Sequence, residues 1–442
     1  MGYKEVSPTH SGDCVPRKIW FSFWVVIMRR NVAIIGCGQS KHGRRTDVSQ
    51  CEMVAEAVWA AIEDAEISPE DIDAFAVGNM QGFGGIAQPD LVFTDFIAAT
   101  GKPVQRVATG GTVGGSVAHL GYYEVASGMY DIVLAVSWEK HSDSAEPGAT
   151  TGLLHVAFAN LSYMMKMGMD MRSFAIMGLA GAAAGVSAYQ AAQYMARSGC
   201  KIEHYDMVAA KARRNAAKNK YAHLKWPGCT ADDIAKTEMI IWPMRFGHVC
   251  PASDGASCVI YASEEAVKRL KVERPVAWVK GLAAYADEEA DQGESYQGTG
   301  VVDYSDQIGC IISAMKAYER AGIKDPRKEI DMAEIYAPFP HQELMFSERL
   351  GFFEDGKAWI AVEEGVTEID GDFPICPSGG VNATNAIGSS AMQRVVECAL
   401  QIMGKAEEHQ VPKDVRNAVA HGWGGQLQFN TVMVLGDSPK RK

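Results

Sequence analysis

The spacing of apolar residues predicts that one arrangement of strands and helices occurs twice along the chain. Apolar residues recur at helical spacing near the start of 55–77 and of 311–337, and each segment ends on a short apolar strand. An apolar strand also precedes each helix, at 32–38 and at 275–285. The two segments therefore read as copies of one strand–helix–strand unit.

A glycine-rich turn follows each unit and opens a second helix. In the first copy the turn at 109–116 leads into a helix, and a strand follows at 131–139. In the second copy the turn at 377–390 opens a helix, and a strand follows at 417–425. Strands that alternate with helices indicate βαβ connections with helices on both faces of the sheet. We therefore predict a duplicated α/β fold with pseudo-twofold symmetry.

A segment rich in Met and Ala separates the regular parts of the two halves, and its helical spacing predicts a helical subdomain. Its basic stretch at 211–223 is typical of a solvated helix face, and in an acidic protein it can also contact a phosphate-bearing ligand. The domains that we predict are an N-terminal extension at 1–30, a first half at 31–140 plus 246–275, a helical insertion at 141–245 and a second half at 276–442.

Composition narrows the classes of function. The chain has 442 residues and a net charge of −12, so it lacks the overall basic character of a nucleic-acid-binding protein. None of its ten cysteines forms a Cys-x-x-Cys pair, which argues against a zinc ribbon or other metal site in this chain and favours reduced thiols in the cytoplasm. The apolar run at 19–28 is too short to span a membrane. We expect residues 1–27 to be an upstream extension, with Met28 as the natural start.

Several segments together resemble the thiolase superfamily, in their expected order and over about residues 31–437. The resemblance is closest to the sterol-carrier-protein thiolase branch. The segments that carry it are NVAIIGCGQSKHGRR, VASGMYDIVLAVSWEK, CPASDGASCVIYAS, AEIYAPFPHQE and PSGGVNATNAIGSSA. The resemblance implies a thiolase fold, a duplicated five-layer αβαβα sandwich with a helical loop domain at 141–245. It also implies a coenzyme A thioester as ligand and a homodimer formed through the core.

The thiolase nucleophile is absent from its usual place. A thiolase carries a reactive Cys at a helix N-terminus, where the helix dipole lowers the thiol pKa. The matching position here is Gly111 or Thr112. The loop formed with Gly114, Gly115 and Ser116 can still present backbone N–H groups to an oxyanion or a phosphate. Thr112 and Ser116 are weak nucleophile candidates because no base adjoins them, and Thr112 is equally suited to cap the helix.

Three further catalytic positions of the family are also changed. Asn385 replaces the activating His, and it can donate a hydrogen bond but cannot act as a base. Tyr336 stands where the family places a His or Asn that binds the oxyanion, and its hydroxyl can serve as a donor. Gly422 replaces the second Cys, an acid/base, and His421 immediately precedes it. We expect His421 to be the base and His341 to lie near the site.

The resemblance also predicts which residues bind coenzyme A. The glycine-rich turn of the second half, with Gly379 and Gly380, resembles a thioester-binding loop. Arg213 and Arg214 belong to the basic segment that resembles the part of the loop domain near the nucleotide. Cys250 and Cys376 also lie near the inferred site, and we expect both to be structural.

Three functions remain compatible with these residues. The first is thiolysis of a β-ketoacyl-CoA by direct attack of coenzyme A. The second is retro-aldol cleavage of a β-hydroxyacyl-CoA, which needs only a base and an oxyanion hole, although Asn385 stands where that group carries a second Tyr. The third is a non-catalytic scaffold subunit, against which the retained glycine-rich loops and Tyr336 argue.

The resemblance finally implies a partner. Two-subunit thiolases, such as benzoylsuccinyl-CoA thiolase of anaerobic aromatic degradation, pair a thiolase-like chain with a small zinc-ribbon and OB-fold subunit. By analogy we expect a heterotetramer acting on an aromatic or branched acyl-CoA.

Overall fold

The computed structural model describes residues 30–80, 88–143, 183–287, 303–425 and 428–439. The predicted N-terminal extension, apart from Arg30, and part of the predicted helical insertion lie outside the described residues. None of the helices in the described ranges has the length and apolar character needed to cross a bilayer.

Eleven strands lie within the described residues. They are β1 (Val32–Gln39), β2 (Ala74–Asn79), β3 (Val104–Arg106), β4 (Ile132–Glu139), β5 (Met239–Ile241), β6 (Met244–Arg245), β7 (Gly255–Ser263), β8 (Ala277–Ala286), β9 (Met332–Glu334), β10 (Asn417–Gly424) and β11 (Phe429–Gly436).

The α-helices of the same residues also follow the predicted order. They are α1 (Gln50–Ala65), α2 (Asp90–Phe93), α3 (Val113–Ala126), α4 (Ala183–Ser198), α5 (Ile202–Lys218), α6 (Ala231–Ala235), α7 (Glu264–Arg269), α8 (Ile308–Ala321), α9 (Pro326–Glu329), α10 (Pro340–Arg349), α11 (Ala358–Glu363), α12 (Gly380–Ala383) and α13 (Ile387–Met403). The strands and helices expected from the apolar pattern are all present, within a few residues of their predicted ends.

The sheet topology confirms the duplication. Nine strands are hydrogen-bonded in the order β3-β2-β4-β7-β1-β8-β11-β10-β9. In the first half β4 pairs parallel to β2 and antiparallel to β7, which pairs antiparallel to β1. In the second half β10 pairs parallel to β9 and antiparallel to β11, which pairs antiparallel to β8. Each half is thus the same mixed sheet, and the two meet where β1 pairs with β8 over two residues.

Equivalent aspartates close the corresponding turn in both halves. The Asp73 carboxylate accepts hydrogen bonds from the backbone N–H groups of Asp131 and Ile132, at 2.9 and 2.8 Å. The Asp331 carboxylate accepts them from Arg416 and Asn417, at 2.7 and 2.9 Å. Each aspartate therefore satisfies the donors at the start of the neighbouring strand. This explains why the Ile-Asp pair recurs in the sequence.

The side chains form three main cores, which correspond to five layers. The largest core lies between the two half-sheets and includes apolar residues of both sheets together with α3 and α13. A second core lies between α1 and the outer face of the first half-sheet. The third lies between the outer face of the second half-sheet and helices that include α8 and α10. The layer order is therefore helix, sheet, helix, sheet, helix, as predicted.

The described part of the insertion packs on the second half. Ala191 and Tyr194 of α4, and Tyr205 and Val208 of α5, belong to the outer core of that half. The Tyr194 hydroxyl donates to the Glu348 carboxylate of α10. The predicted boundaries of the insertion at 141 and 245 stay a prediction.

A buried ionic network fixes the relative positions of three segments of the second half. Glu334, the last residue of β9, forms an ion pair with Arg394 of α13, and both side chains are fully buried. The same carboxylate accepts hydrogen bonds from the Ser378 backbone N–H and hydroxyl, each at 3.0 Å. The end of β9, the glycine-rich turn and α13 are thereby joined at one point.

Removal of one partner of this network tests its contribution to stability. Arg394→Met keeps the apolar length of the side chain but leaves the Glu334 charge buried without a counter-charge. We expect the free energy of unfolding to fall by about 3–5 kcal/mol in urea denaturation. The double variant Arg394→Met/Glu334→Gln removes both charges and should regain much of that loss. A single variant as stable as the parent chain would contradict a structural role for the pair.

Candidate active site

The N-terminus of α3 lies directly against the end of β10. Gly111 has a φ of +77°, and a Cβ atom there would lie 2.6 Å from the Gly424 Cα. Gly114, one turn along, would place a Cβ 2.4 Å from the Met392 backbone nitrogen of α13. These glycines let the helix N-terminus approach the second half more closely than any side chain would permit.

The hydroxyl group at the predicted nucleophile position, that of Thr112, already has a hydrogen-bond partner. Thr112 is 1% exposed, and its Oγ1 lies 3.1 Å from Oγ1 of Thr431 on β11. Thr431 Oγ1 also donates to the Gly422 carbonyl at 3.3 Å. Ser116, the other hydroxyl of the loop, donates to Thr109 Oγ1 at 2.9 Å. Neither hydroxyl adjoins a base, so this loop offers backbone groups rather than a nucleophile.

Tyr336 occupies a buried position just after β9. Its ring meets the Trp423 indole edge-on at 5.4 Å, and the indole N–H donates to the Tyr336 carbonyl at 2.8 Å. Burial raises the pKa of the Tyr336 hydroxyl. Its hydrogen bond with the Ser390 side chain lowers that pKa by a smaller amount. The hydroxyl therefore stays protonated at neutral pH and is available as a donor.

Asn385 links this tyrosine to a cysteine. Its Oδ1 accepts a hydrogen bond from the Ser390 hydroxyl at 2.9 Å, and its Nδ2 donates to Cys250 Sγ at 3.2 Å. The Asn385 backbone N–H donates to Ser253 Oγ at 3.1 Å, which fixes the loop before α13. Tyr336, Ser390, Asn385 and Cys250 thus form one polar chain, which we call the Tyr336–Cys250 chain.

The sequence interpretation did not single out Ser390, and it placed Cys250 near the inferred site only as a structural residue. Cys250 is half-buried, and burial raises the pKa of its thiol to about 11, against the lowering effects of Asn385 and Arg213. Both residues fall inside the segments that carried the family resemblance. Their contact with Asn385 depends on tertiary packing, so no spacing in the sequence could reveal it.

A buried carboxyl adjoins the same region. Glu139 ends β4 and accepts a hydrogen bond from the Met80 backbone N–H at 2.9 Å. Burial raises the pKa of the Glu139 carboxyl, and interactions with Met80 and Asn79 lower it. Its Oε1 makes no hydrogen bond of ordinary geometry among the described residues. The sequence interpretation did not single out this residue.

Gly422 and His421 face opposite sides of β10. A Cβ at Gly422 would lie 2.7 Å from Thr431 Oγ1 and 3.1 Å from Thr112 Oγ1, so this position faces the α3 N-terminus. His421 is buried against Phe346, with ring centroids 4.5 Å apart, and its Nε2 lies 3.4 Å from Asn430 Oδ1. Burial lowers its pKa to about 4. The geometry therefore favours a packing role for His421 and separates it from the Thr112 side of the strand.

His341 lies in the interface between α10 and α4. Its Nε2 is 2.8 Å from Gln190 Oε1, and its ring packs beside Tyr205 with centroids 5.9 Å apart. Burial lowers the pKa of its ring to about 3. A neutral, fully buried imidazole tied to an amide fits a structural role in joining the insertion to the second half.

The two candidate arginines for nucleotide binding both have protein partners. The Arg213 guanidinium is buried and donates to the Asn382 side chain and to backbone carbonyls, including that of Val249. Arg214 donates to the Cys229 carbonyl and forms an ion pair with Glu368 at 2.7 Å. Arg213 therefore supports the loop before Cys250, whereas the partly exposed Arg214 retains access to solvent.

The glycine-rich turn of the second half packs against the insertion. Gly379 has a φ of +95°, and a Cβ there would lie 2.6 Å from the Ala216 Cβ of α5. Gly380 has a φ of +61°, and a Cβ there would lie 3.0 Å from Cys376 Sγ. These glycines thus serve close packing between α5 and the turn, and Cys376 is buried there. Within the described ranges, no three His, Cys, Asp or Glu side chains are grouped as metal ligands.

Models of one protein family match both halves of the chain. A model of the thiolase N-terminal domain matches residues 25–225, and a model of the thiolase C-terminal domain-like family matches residues 299–437. An acetyl-CoA acetyltransferase of Methanothermobacter thermautotrophicus is 30% identical over 405 residues, which cover 90% of this chain and 97% of the relative.

Two further proteins are similar to this chain over most of its length. Benzoylsuccinyl-CoA thiolase subunit BbsB of Thauera aromatica is 25% identical over 402 residues, covering 90% of this chain and 96% of the relative. A solved Ltp2-ChsH2(DUF35) aldolase superimposes with a TM-score of 0.73 at 22% identity, covering 94% of this chain and all of that one. At that identity the superposition shows the fold alone.

The contact between Gly422 and the Thr112–Thr431 pair can be tested by adding one methyl group. Gly422→Ala would place its Cβ 2.7 Å from Thr431 Oγ1 and 2.8 Å from the Ala391 Cβ. We expect the free energy of unfolding to fall by about 1–3 kcal/mol in urea denaturation, because the strand is held on both sides. Gly110→Ala is the matched control, since a Cβ there meets nothing within 4 Å. Equal effects of the two changes would contradict the contact.

Proposed function

Because this chain belongs to the thiolase family, we propose that it cleaves the carbon–carbon bond next to a coenzyme A thioester. In this proposal the reaction is thiolysis of a β-ketoacyl-CoA by free coenzyme A. The observation that supports the proposal is the Tyr336–Cys250 chain, in which the Tyr336 hydroxyl and the Asn385 amide are linked through Ser390. The acyl group is aromatic or branched in this proposal, by likeness to benzoylsuccinyl-CoA thiolase.

Tyr336 and Asn385 are the proposed oxyanion donors. The Tyr336 hydroxyl is protonated because burial raises its pKa, and Nδ2 of Asn385 keeps one hydrogen free after donating to Cys250. Ser390 orients both groups, since its hydroxyl donates to Asn385 Oδ1 and accepts the hydrogen bond of the Tyr336 hydroxyl. In this proposal the Tyr336 hydroxyl turns from Ser390 to the thioester oxygen when the substrate binds. Preorganised donors of this kind stabilise the charge that develops on a thioester oxygen during cleavage.

The proposed reaction proceeds without an acyl-enzyme at the N-terminus of α3. The Thr112 hydroxyl is buried and paired with Thr431, so it does not serve as a nucleophile. Coenzyme A itself attacks the keto carbon in this proposal. A free thiol ionises near pH ~8.5, so a fraction is thiolate at neutral pH. His421 is no longer the proposed base, because it lies on the other face of β10.

Retro-aldol cleavage of a β-hydroxyacyl-CoA is the second candidate. It requires an oxyanion site but no nucleophilic thiol, which agrees with Gly111 and Thr112 at the usual nucleophile position. The likeness to the Ltp2-ChsH2(DUF35) aldolase supports it at the level of fold. A non-catalytic scaffold remains the third possibility, and the assay below separates the three.

We also propose two kinds of association. A homodimer would form at the first half, where β3 is the edge strand of the described sheet, paired with β2, and large apolar side chains are exposed beside it. Those side chains are Trp59, Leu91, Val92 and Phe96. A small zinc-ribbon partner would complete a heterotetramer, which the match to a thiolase subunit supports. The nine described cysteines are all free thiols, which supports a cytoplasmic location.

A substrate comparison tests the reaction type. The purified chain, alone and with a zinc-ribbon partner, is incubated with acetoacetyl-CoA and with aromatic and branched β-ketoacyl-CoA esters, each with coenzyme A, and, separately, with the corresponding β-hydroxyacyl-CoA esters. Chromatography of the coenzyme A esters should show thiol-dependent cleavage of the ketone only. Release of an aldehyde or ketone without added thiol would establish the aldolase instead. Absence of turnover with the partner present would leave only the scaffold.

Tyr336→Phe tests the oxyanion site. The change removes one donor and leaves the ring packing intact, so we expect kcat to fall by roughly 10²-fold or more with little change in melting temperature. Tyr318→Phe is the matched control, since that buried hydroxyl donates to the Leu350 carbonyl at 2.8 Å on the outer side of the second half. Tyr318→Phe should keep full activity. Turnover unaffected by Tyr336→Phe would remove this residue from the site.

A further inference from the structure

The proposed cleavage needs a proton donor, and the position at which the family usually carries this donor holds a glycine here. Breaking the carbon–carbon bond releases the enolate of an acyl-CoA, which must take up a proton at its α-carbon. The family uses its second Cys for this step, and Gly422 stands in that place. The space that a side chain would need at Gly422 is occupied by Thr431, Ala391 and Thr112. An acid therefore has to come from another element.

We propose that Cys250 is the proton-transfer residue of this site. The proposal rests on the proposed function and adds to it a catalytic group on the loop before β7. Sγ of Cys250 lies 3.2 Å from Nδ2 of Asn385, one of the two proposed oxyanion donors. A thioester oxygen bound to the free hydrogen of that amide would therefore place its α-carbon beside the sulfur.

The surroundings of the thiol suit an acid rather than a nucleophile. Burial raises its pKa to about 11, so the thiol is protonated at neutral pH, yet it is a far stronger acid than the α-carbon of a thioester. The Asn385 amide and the nearby Arg213 guanidinium both favour the thiolate that remains after transfer. Arg213 is itself held by the Val249 carbonyl, next to Cys250.

A buried carboxyl group lies beside the same place. Glu139 is fully buried, and a Cβ at Gly388, three residues after Asn385, would lie 2.6 Å from Glu139 Oε2. Its other oxygen, Oε1, makes no hydrogen bond of ordinary geometry among the described residues, although the Asn79 side chain interacts with the carboxyl group. A buried carboxyl oxygen in this position can accept a hydrogen bond from a ligand or a water.

The proposed step balances in protons and electrons. The S–H bond of Cys250 breaks and a C–H bond forms at the α-carbon, using the electron pair of the enolate. The Cys250 thiolate then recovers a proton. In thiolysis this proton is the one lost by the attacking coenzyme A thiol, and in retro-aldol cleavage it is the one lost by the β-hydroxyl.

Cys250→Ser tests the proposal with little change in shape. A serine hydroxyl can still accept the Asn385 hydrogen bond, but it is a much weaker acid than a thiol. We expect kcat for thiolysis of the β-ketoacyl-CoA that the wild-type chain cleaves to fall by about 10²-fold, with an unchanged KM and melting temperature. The exchange of acetyl-CoA methyl hydrogens with deuterium in heavy water, followed by mass spectrometry, should fall by a similar factor. Cys51→Ser is the matched control, because Cys51 is the other half-buried thiol among the described residues and its Sγ donates to the Val92 carbonyl, far from the site in sequence.

The outcomes separate this inference from the proposed function. Wild-type cleavage together with unimpaired exchange and turnover in Cys250→Ser would overturn the role of Cys250 and leave the proposed function standing. A rise in KM with unchanged kcat would assign the thiol to binding and also overturn the role. A wild-type chain that cleaves none of the aromatic, branched or short β-ketoacyl-CoA esters or their β-hydroxy counterparts, and does not exchange acetyl-CoA hydrogens, would overturn both.

Discussion

The candidate site depends on the buried ion pair between Glu334 and Arg394. Glu334 stands two residues before Tyr336, Arg394 lies one helical turn after Ser390, and Ser378 of the glycine-rich turn donates twice to the same carboxylate. Three segments distant in sequence are thereby held at one point. A charge that is fully buried must keep its partner, so the ion pair constrains geometry more strictly than apolar packing would.

The candidate site offers hydrogen-bond donors rather than a nucleophile. The positions that the sequence analysis matched to the family's Cys and His hold Thr112 or Gly111, Asn385 and Gly422, and described contacts fill the space around Gly111 and Gly422. Thr112 now pairs with Thr431, and this pair closes the interior side of the α3 N-terminus. What remains is a set of donors and a protonated thiol, a combination suited to stabilising an enolate.

The duplicated fold explains where this chemistry can arise. The N-termini of α3 and α13 are brought together in the central layer, because Gly114 lets α3 approach the backbone of α13. Each helix is preceded by a glycine-rich turn from its own half, so both halves contribute backbone donors to the same region. Side chains on the inner faces of the sheets can reach it, whereas those on the outer faces, such as His421, cannot.

The sequence by itself determined the fold class, the duplication and most element ends, because apolar periodicity and turn residues act locally. It also located the segments that contain Tyr336, Asn385 and Gly422, because the segments that resemble the family follow one another in the expected order. Only the tertiary structure decided which neighbouring residues face the site. Strand alternation turned His421 away from Thr112, burial committed Arg213 to internal carbonyls, and loop packing brought Cys250 to Asn385. The contacts of Arg213 with Asn382 and of Cys250 with Asn385 join residues 169 and 135 positions apart, and spacing along the chain holds no information about them.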